Sequence, residues 1–380
     1  MQLGEERNRA TTWLGGWAAL CVFLSQFFVF SSGLPQPANI LMLVLIFISF
    51  FFLSRDFFVG FKCGFGFFLI CFLFWVFLVN GFYSFVWQDW SFHYFTVHIL
   101  YNFLLFFSVF AAIKRDQKFL DYVCFGVFFS FLFLFLFWVF GVGRYAFFPR
   151  YNGFFNDPNQ MAFWILCSVA IFFLASRSRF LVKVFVAFLA GALIMSTMSR
   201  SALVGLAGMS LGLLLTMSHN QSLEQKGNGG GRKAIFLILS FFVFSIAIYF
   251  YLGTESFSSM SQRWSGLEVT DQLDARGYSR LIDYAEYLIF GAGQAMDERF
   301  GSIYEIHSTW VGILFYYGVI GILLFAGFLF FCVKGMPVRE LLVVSGPMLY
   351  GFSTFGARSP IFWIMMAVAA SISLSCKKTC

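Results

Sequence analysis

A histidine followed by two hydroxyl residues, His307-Ser308-Thr309, closes a polar segment that begins near Gly253 and has given way to an apolar run by Phe315. Ser308 and Thr309 are natural helix caps, and the positive end of the helix they open disfavours imidazolium. His307 therefore reads as a neutral ring able to accept a proton, with a structural hydrogen-bonding group as the alternative. The segment from 253 to 307 carries half of the chain's 18 acidic residues and four arginines. Two of these, Arg276 and Arg280, are four residues apart, and a guanidinium fork grips phosphate oxygens in pairs. Arg280 with Asp283 also reads as an ordinary surface pair at helical spacing. Arg200 and Arg358 each stand just before an apolar run, where a cation meets the positive end of a helix. An anionic partner removes that conflict; snorkelling to the membrane surface is the other account. In Asp157-Pro158-Asn159 the proline stiffens a helix entry, Asn159 is placed to cap it, and Asp157 is placed to contact a substrate hydroxyl.

The elements that must hold these residues are nearly all hydrocarbon. Of 380 residues 60% are hydrophobic and 11% charged, with mean hydropathy +0.82. Soluble domains carry about twice that charge, so a soluble globule is excluded. Apolar runs of roughly 17 to 25 residues suit helices crossing a ~30 Å hydrocarbon core, whereas a barrel would show short alternating segments. The expected fold is all-α and polytopic. About twelve spans are expected, at 13–31, 38–54, 64–82, 92–113, 119–142, 160–176, 180–197, 201–217, 233–252, 308–333, 340–354 and 359–375. The first lacks a small-residue cleavage site and is read as a retained helix. Residues 279–288 carry apolar positions at helical spacing, predicting a helix with Arg280, Asp283 and Tyr287 on its polar face and Gly291-Ala292-Gly293 as its end.

Charge orients the chain. With a cytoplasmic N-terminus, 17 of the 25 basic residues fall inside, including every lysine, and the eight outside are all arginine. Both termini are then cytoplasmic, and the 253–307 loop is periplasmic. Helices starting near 160, 201, 308 and 359 present their positive ends outward, where an anion is welcome. The eight cysteines suggest no disulfide framework or zinc spacing, and His93 and His98 are on different helical faces; no metal site or cofactor is expected. The 60 phenylalanines read as lipid-facing and interhelical filler.

Four blocks in order give the chain a family resemblance. They are Gly153 through Ala162; Met198-Ser199-Arg200-Ser201-Ala202; Arg280 through Gly293; and His307-Ser308 followed by Tyr317-Gly318-Val319-Ile320-Gly321. The sequence resembles the bacterial O-antigen ligase and O-antigen polymerase family of membrane glycosyltransferases over roughly residues 150 to 325. Ser308 departs from the family, where asparagine commonly follows the histidine. Residues 1–150 match only in hydrophobicity, which divides the chain into 1–150 and 151–380. The resemblance implies an inner-membrane enzyme whose donor glycan rides on undecaprenyl pyrophosphate and passes to a hydroxyl acceptor, either another glycan or lipid A core. It implies that Arg200 and Arg280 grip pyrophosphate, with Arg276 a second clamp, and that His307 orients or deprotonates the acceptor. Membrane lipids are partners, a chain-length regulator is admitted, and nucleic acid is not expected.

Polymerase is slightly preferred to ligase. Metal-dependent oligosaccharyltransferases use acidic residues in the first outer loop, and Ser31 to Pro37 contains none. A lipid-linked glycan flippase or anion transporter is the rival from another class; it would show internal repeats or broken helices near the membrane midplane.

Overall fold

The computed structural model describes residues 2–30, 34–145, 148–224, 276–295, 298–301 and 305–376. Among them helix is the only extended regular structure; a single β-bridge joins Arg144 to Gly153. The helices are α1 (Gln2–Leu24), α2 (Pro37–Phe52), α3 (Ser54–Phe61), α4 (Gly64–Trp87), α5 (Ser91–Arg115), α6 (Lys118–Val139), α7 (Pro158–Ala175), α8 (Phe180–Thr197) and α9 (Arg200–Glu224). After the polar segment come α10 (Thr309–Val333), α11 (Val338–Tyr350) and α12 (Pro360–Cys376).

Six of these helices are long and apolar enough to cross a membrane, or seven if the bent pair α2–α3 is one span. Shorter apolar helices cover Thr12–Leu24, Arg200–Leu215 and Pro360–Ser375. The chain is thus a multi-pass helical membrane protein. Every expected span except 233–252, which lies outside the described residues, coincides with a helix, though boundaries differ. The first helix ends at Leu24 rather than 31, and α3 turns away from α2 by 95°, a bend absent from the expected pattern.

Local chemistry explains the ends. Asp157 caps α7, accepting from the backbone N–H of Asn159 at 2.6 Å and of Gln160 at 3.4 Å, with Pro158 in the first turn. The expected cap was Asn159, but Asp157 is the residue with extended backbone at the helix entry, so its side chain points back over the free N–H groups. The turn between α8 and α9 is very short because Met198 adopts a left-handed conformation, φ +52°. Close helix contact comes from small residues: a side chain on Gly346 would run into Met209, and one on Gly126 into the backbone of Ala19.

One hydrophobic cluster runs through helices on both sides of residue 150. Phenylalanine fills it, as at Phe106, Phe107 and Phe110, and also covers the outer surface, as at Phe67, Phe74 and Phe85.

The bundle has two chemically different ends. At one, Arg177 donates to Gln117 at 3.0 Å and Lys183 lies within electrostatic reach of Glu340, so lysines and arginines of the α5–α6, α7–α8 and α10–α11 connections and their flanks share one end. At the other, the starts of α7, α9, α10 and α12 meet the end of α11. The basic residues described there, from Arg144 to Arg358, are all arginine.

Candidate functional site

Tyr350, the last residue of α11, ties three of those helix ends together. Its hydroxyl lies 2.9 Å from the Ser199 hydroxyl and 3.4 Å from both the backbone and side-chain oxygens of Asn159. Arg150 closes the same corner, donating to the Thr197 carbonyl at 2.9 Å and to Asn159 Oδ1 at 3.0 Å. Asn159 therefore anchors α7 to its neighbours instead of capping it. Arg200, adjacent to Ser199, opens α9 at this corner.

The mouth of α10 lies alongside. Ser308 caps it, accepting from Val311 N–H at 3.3 Å, and the N–H of Thr309 is shared between the carbonyls of Gly351, at 2.7 Å, and Thr354, at 3.0 Å. The backbone N–H of His307 donates to the Arg276 carbonyl at 3.1 Å, which brings the strip starting at Arg276 against the helix entry. His307 is exposed, yet its surroundings partly shield it from water. That partial desolvation lowers its pKa from the usual value; Asp157 opposes the shift, and the cations of Arg358 and Arg276 add to it. Asp157, Arg276 and Arg358 are thus each within electrostatic reach of His307, although the four are spread over some two hundred positions of the sequence. The balance favours a neutral imidazole.

Arg280 is 7% exposed, and its guanidinium lies 5.8 Å from the centre of the Phe300 ring. A side chain built on Gly277 would stand 3.4 Å from Ile306 and 3.9 Å from Arg280 Nε, so the Arg280 head sits beside the residue preceding His307. The expected helix over 279–288 is corrected here. One helical turn, Arg280–Asp283, is followed by a 3-10 turn, Ala285–Leu288, with Tyr284 breaking between them at φ −133°. Arg280 faces inward and only Asp283 is on the exposed side, so the two do not form one polar face.

Arg358 has an anionic partner supplied by the chain itself: its Nη1 is 2.6 Å from a carboxylate oxygen of Glu305. Burial raises the Glu305 pKa, and Arg358, then a hydrogen bond donated by Gln294, pull it back down. Gln294 continues the network. Its N–H donates to Asn80 Oδ1 at 2.9 Å, Asn80 donates to Thr96 at 2.9 Å, and the Tyr317 hydroxyl donates to Gln294 Oε1 at 3.1 Å. The Arg358 carbonyl is held by His98 at 2.9 Å and Asn102 at 3.4 Å. A cavity of about 20 Å³ beside His98, Gln294 and Arg358 is large enough for one water. Reading by residue type passed over Glu305 and Gln294. Glu305 stands two residues before His307, and an unpaired carboxylate is not tolerated in so apolar a setting; that was the available signal.

Two of the sequence blocks turn out to be one device. Gly318 interrupts α10 with φ +69°, a conformation that side chains resist. Three carbonyls at the break find donors outside the helix: Phe315 from Ala292 N–H and Tyr316 from Gly293 N–H, both at 2.9 Å, and Tyr317 from the Trp75 indole at 2.7 Å. A side chain on Gly291 would meet the Tyr316 carbonyl, and one on Gly318 the Ile289 carbonyl. Gly291-Ala292-Gly293 therefore does more than end a helix; it fills the notch in α10. Arg299 pins the same loop from above, donating to the carbonyls of Ala292 at 2.9 Å and Gly293 at 3.2 Å, while its guanidinium lies 4.8 Å from the ring centres of both Phe92 and Phe300.

Among the described residues no three His, Cys, Asp or Glu side chains gather as a metal site would require. Fold and charge define the class as a multi-pass helical membrane protein with a group of arginines at one end of its bundle. Comparison with protein-family models and with curated proteins finds no match.

Proposed function

We propose that the protein is an inner-membrane glycosyltransferase that moves a glycan from undecaprenyl pyrophosphate to a hydroxyl acceptor at the periplasmic face, with both termini cytoplasmic. The observation that carries this reading is that Asp157, Arg276 and Arg358 all lie within electrostatic reach of His307 at the mouth of α10, with the Arg276 carbonyl bonded to His307 N–H. Pyrophosphate is a good leaving group, so the chief task is to hold it and stabilise developing negative charge. Helix N-termini and guanidinium forks do both. In the proposed step the acceptor oxygen bonds the anomeric carbon as the bond from that carbon to pyrophosphate oxygen breaks. The hydroxyl proton passes to neutral His307, and the pyrophosphate departs on its lipid. Arg200 and Arg280 grip the diphosphate with Arg276 as second clamp, and Asp157 sets the charge around His307. Arg358, already engaged by Glu305, contributes its field more than a free fork.

O-antigen or surface-polysaccharide polymerase is slightly preferred; ligation to lipid A core is the alternative. A lipopolysaccharide gel of a deletion strain separates them. Loss of a polymerase leaves core bearing one repeat unit, because ligation continues, and loss of a ligase leaves bare core. An unchanged ladder would remove O-antigen from consideration.

The break in α10 favours a second reading, a lipid-linked glycan flippase, because discontinuous helices mark many transporters. In those, carbonyls freed by the break bind the transported ion; here those of Phe315, Tyr316 and Tyr317 are taken by Ala292, Gly293 and Trp75. The glycosyltransferase reading is therefore preferred.

A further inference from the structure

The polar segment does not lie wholly in water. Its tip, Ile289-Phe290, is 61% and 63% exposed, an unusual arrangement for two large apolar side chains in a connecting loop. Its depth can be read against α4. The Phe290 ring centre is 6.5 Å from that of Trp75, and the Trp75 indole is bonded to Tyr317 beside the notch. Trp75 stands in the middle of α4, twelve residues before Trp87, which at 1.5 Å per residue is about 18 Å along the helix. Trp87 and Trp90, 54% and 81% exposed, mark the interfacial belt at that end. Half of a ~30 Å hydrocarbon core is about 15 Å. Higher on the same helix, Tyr83 meets Tyr287 at 6.2 Å, so the segment descends along α4 from the belt toward the midplane.

We infer that residues 284–293 form a re-entrant segment whose Ile289-Phe290 tip is seated among the acyl chains of the bilayer near its midplane. Irregular backbone survives at that depth only where its polar groups are satisfied by protein. The ascending arm meets that condition at its N–H groups: Gly291 N–H donates to the Tyr287 carbonyl at 2.7 Å, and the next two N–H groups donate to α10. On either side of the tip the exposed surface stays apolar, with Phe74 and Leu78 of α4 and Val319 and Leu323 of α10. Bulk lipid covers all of it. The inference stands apart from the proposed chemistry, since it concerns only where the segment lies.

The test uses the full chain, with a genetically encoded fluorescent amino acid at Phe290, reconstituted in phosphatidylglycerol–phosphatidylcholine vesicles. The lipids carry bromine either near the headgroup or near the chain end. The expected result is loss of emission with chain-end bromines, little loss with headgroup-proximal bromines, and none with aqueous iodide. The same probe at Ile289, which leaves the Phe290–Trp75 contact intact, should give the same pattern. At Trp90 the order of the two brominated lipids should reverse. Quenching by iodide without quenching by deep bromines would place the segment in water and overturn the inference. Insensitivity to both quenchers would mean that another protein surface covers the tip, and would overturn it equally.

Discussion

Arg280 is the residue whose chemistry is most sharply testable. It is buried against Phe300 beside the entry to α10, and a planar fork grips phosphate oxygens in pairs as a point charge on a flexible stem does not. Arg280→Lys should therefore lose transfer almost as completely as Arg280→Ala, each by on the order of a hundredfold or more at unchanged membrane level. Glycan transfer measured in membranes of equal protein content checks this. His307 supplies a second test through pH. Its pKa is depressed, first by desolvation and then by Arg358 and Arg276 against the pull of Asp157. A base must be neutral to act, so the acidic limb of the rate profile should lie below the ordinary histidine value of about 6.5. Arg276→Gln removes a cation that disfavours imidazolium, so the limb should move to higher pH. Asp157→Asn removes an anion that favours imidazolium, and the limb should move lower while asparagine keeps the cap on α7. Shifts in the same direction for both variants would detach His307 from the rate. The types of these residues were legible because histidine, arginine and aspartate are conspicuous in hydrocarbon. Their pairing was not: nothing in the spacing of Glu305 and Arg358 shows that they touch across a chain reversal.

Among elements, α10 and the loop that fills its notch act together. Gly318 and Gly291 both hold positive φ and both lie where a side chain would strike the other segment's backbone. Gly318→Ala and Gly291→Ala should each destabilise the protein by about 1–3 kcal/mol. Thermal unfolding in detergent reads this as a lowered midpoint, and an unchanged midpoint in both would mean that the notch is not load-sharing. Most helices were readable because a run of apolar residues of membrane length permits little else, but their ends were read only approximately: the first helix stops at Leu24 rather than 31, and α7 is capped by Asp157 rather than Asn159. The break at Gly318 was not readable, since glycine is tolerated within membrane helices and only its partner segment shows that this one interrupts the path. The helix expected over 279–288 failed for the converse reason. Its apolar spacing is helical, but Gly291 and Gly293 must reach the carbonyls of α10, and that requirement splits the segment at Tyr284.

At the scale of the molecule, the described lysines lie away from the end whose described basic residues are all arginine, a difference written in the composition of the connections. Reporter fusions within 260–300 should give periplasmic signals and those within 221–231 cytoplasmic ones; reversed signals would place His307 and its neighbouring arginines on the wrong face for a lipid-linked glycan. The most direct measurement is a transfer reaction with purified protein in proteoliposomes, supplied with polyprenyl-pyrophosphate-linked repeat unit as donor and acceptor. The predicted result is a lengthened glycan with stoichiometric release of polyprenyl pyrophosphate, retained in excess chelator and lost in Arg280→Lys and His307→Ala. Movement of the intact lipid-linked glycan between leaflets with no release of polyprenyl pyrophosphate would contradict the account.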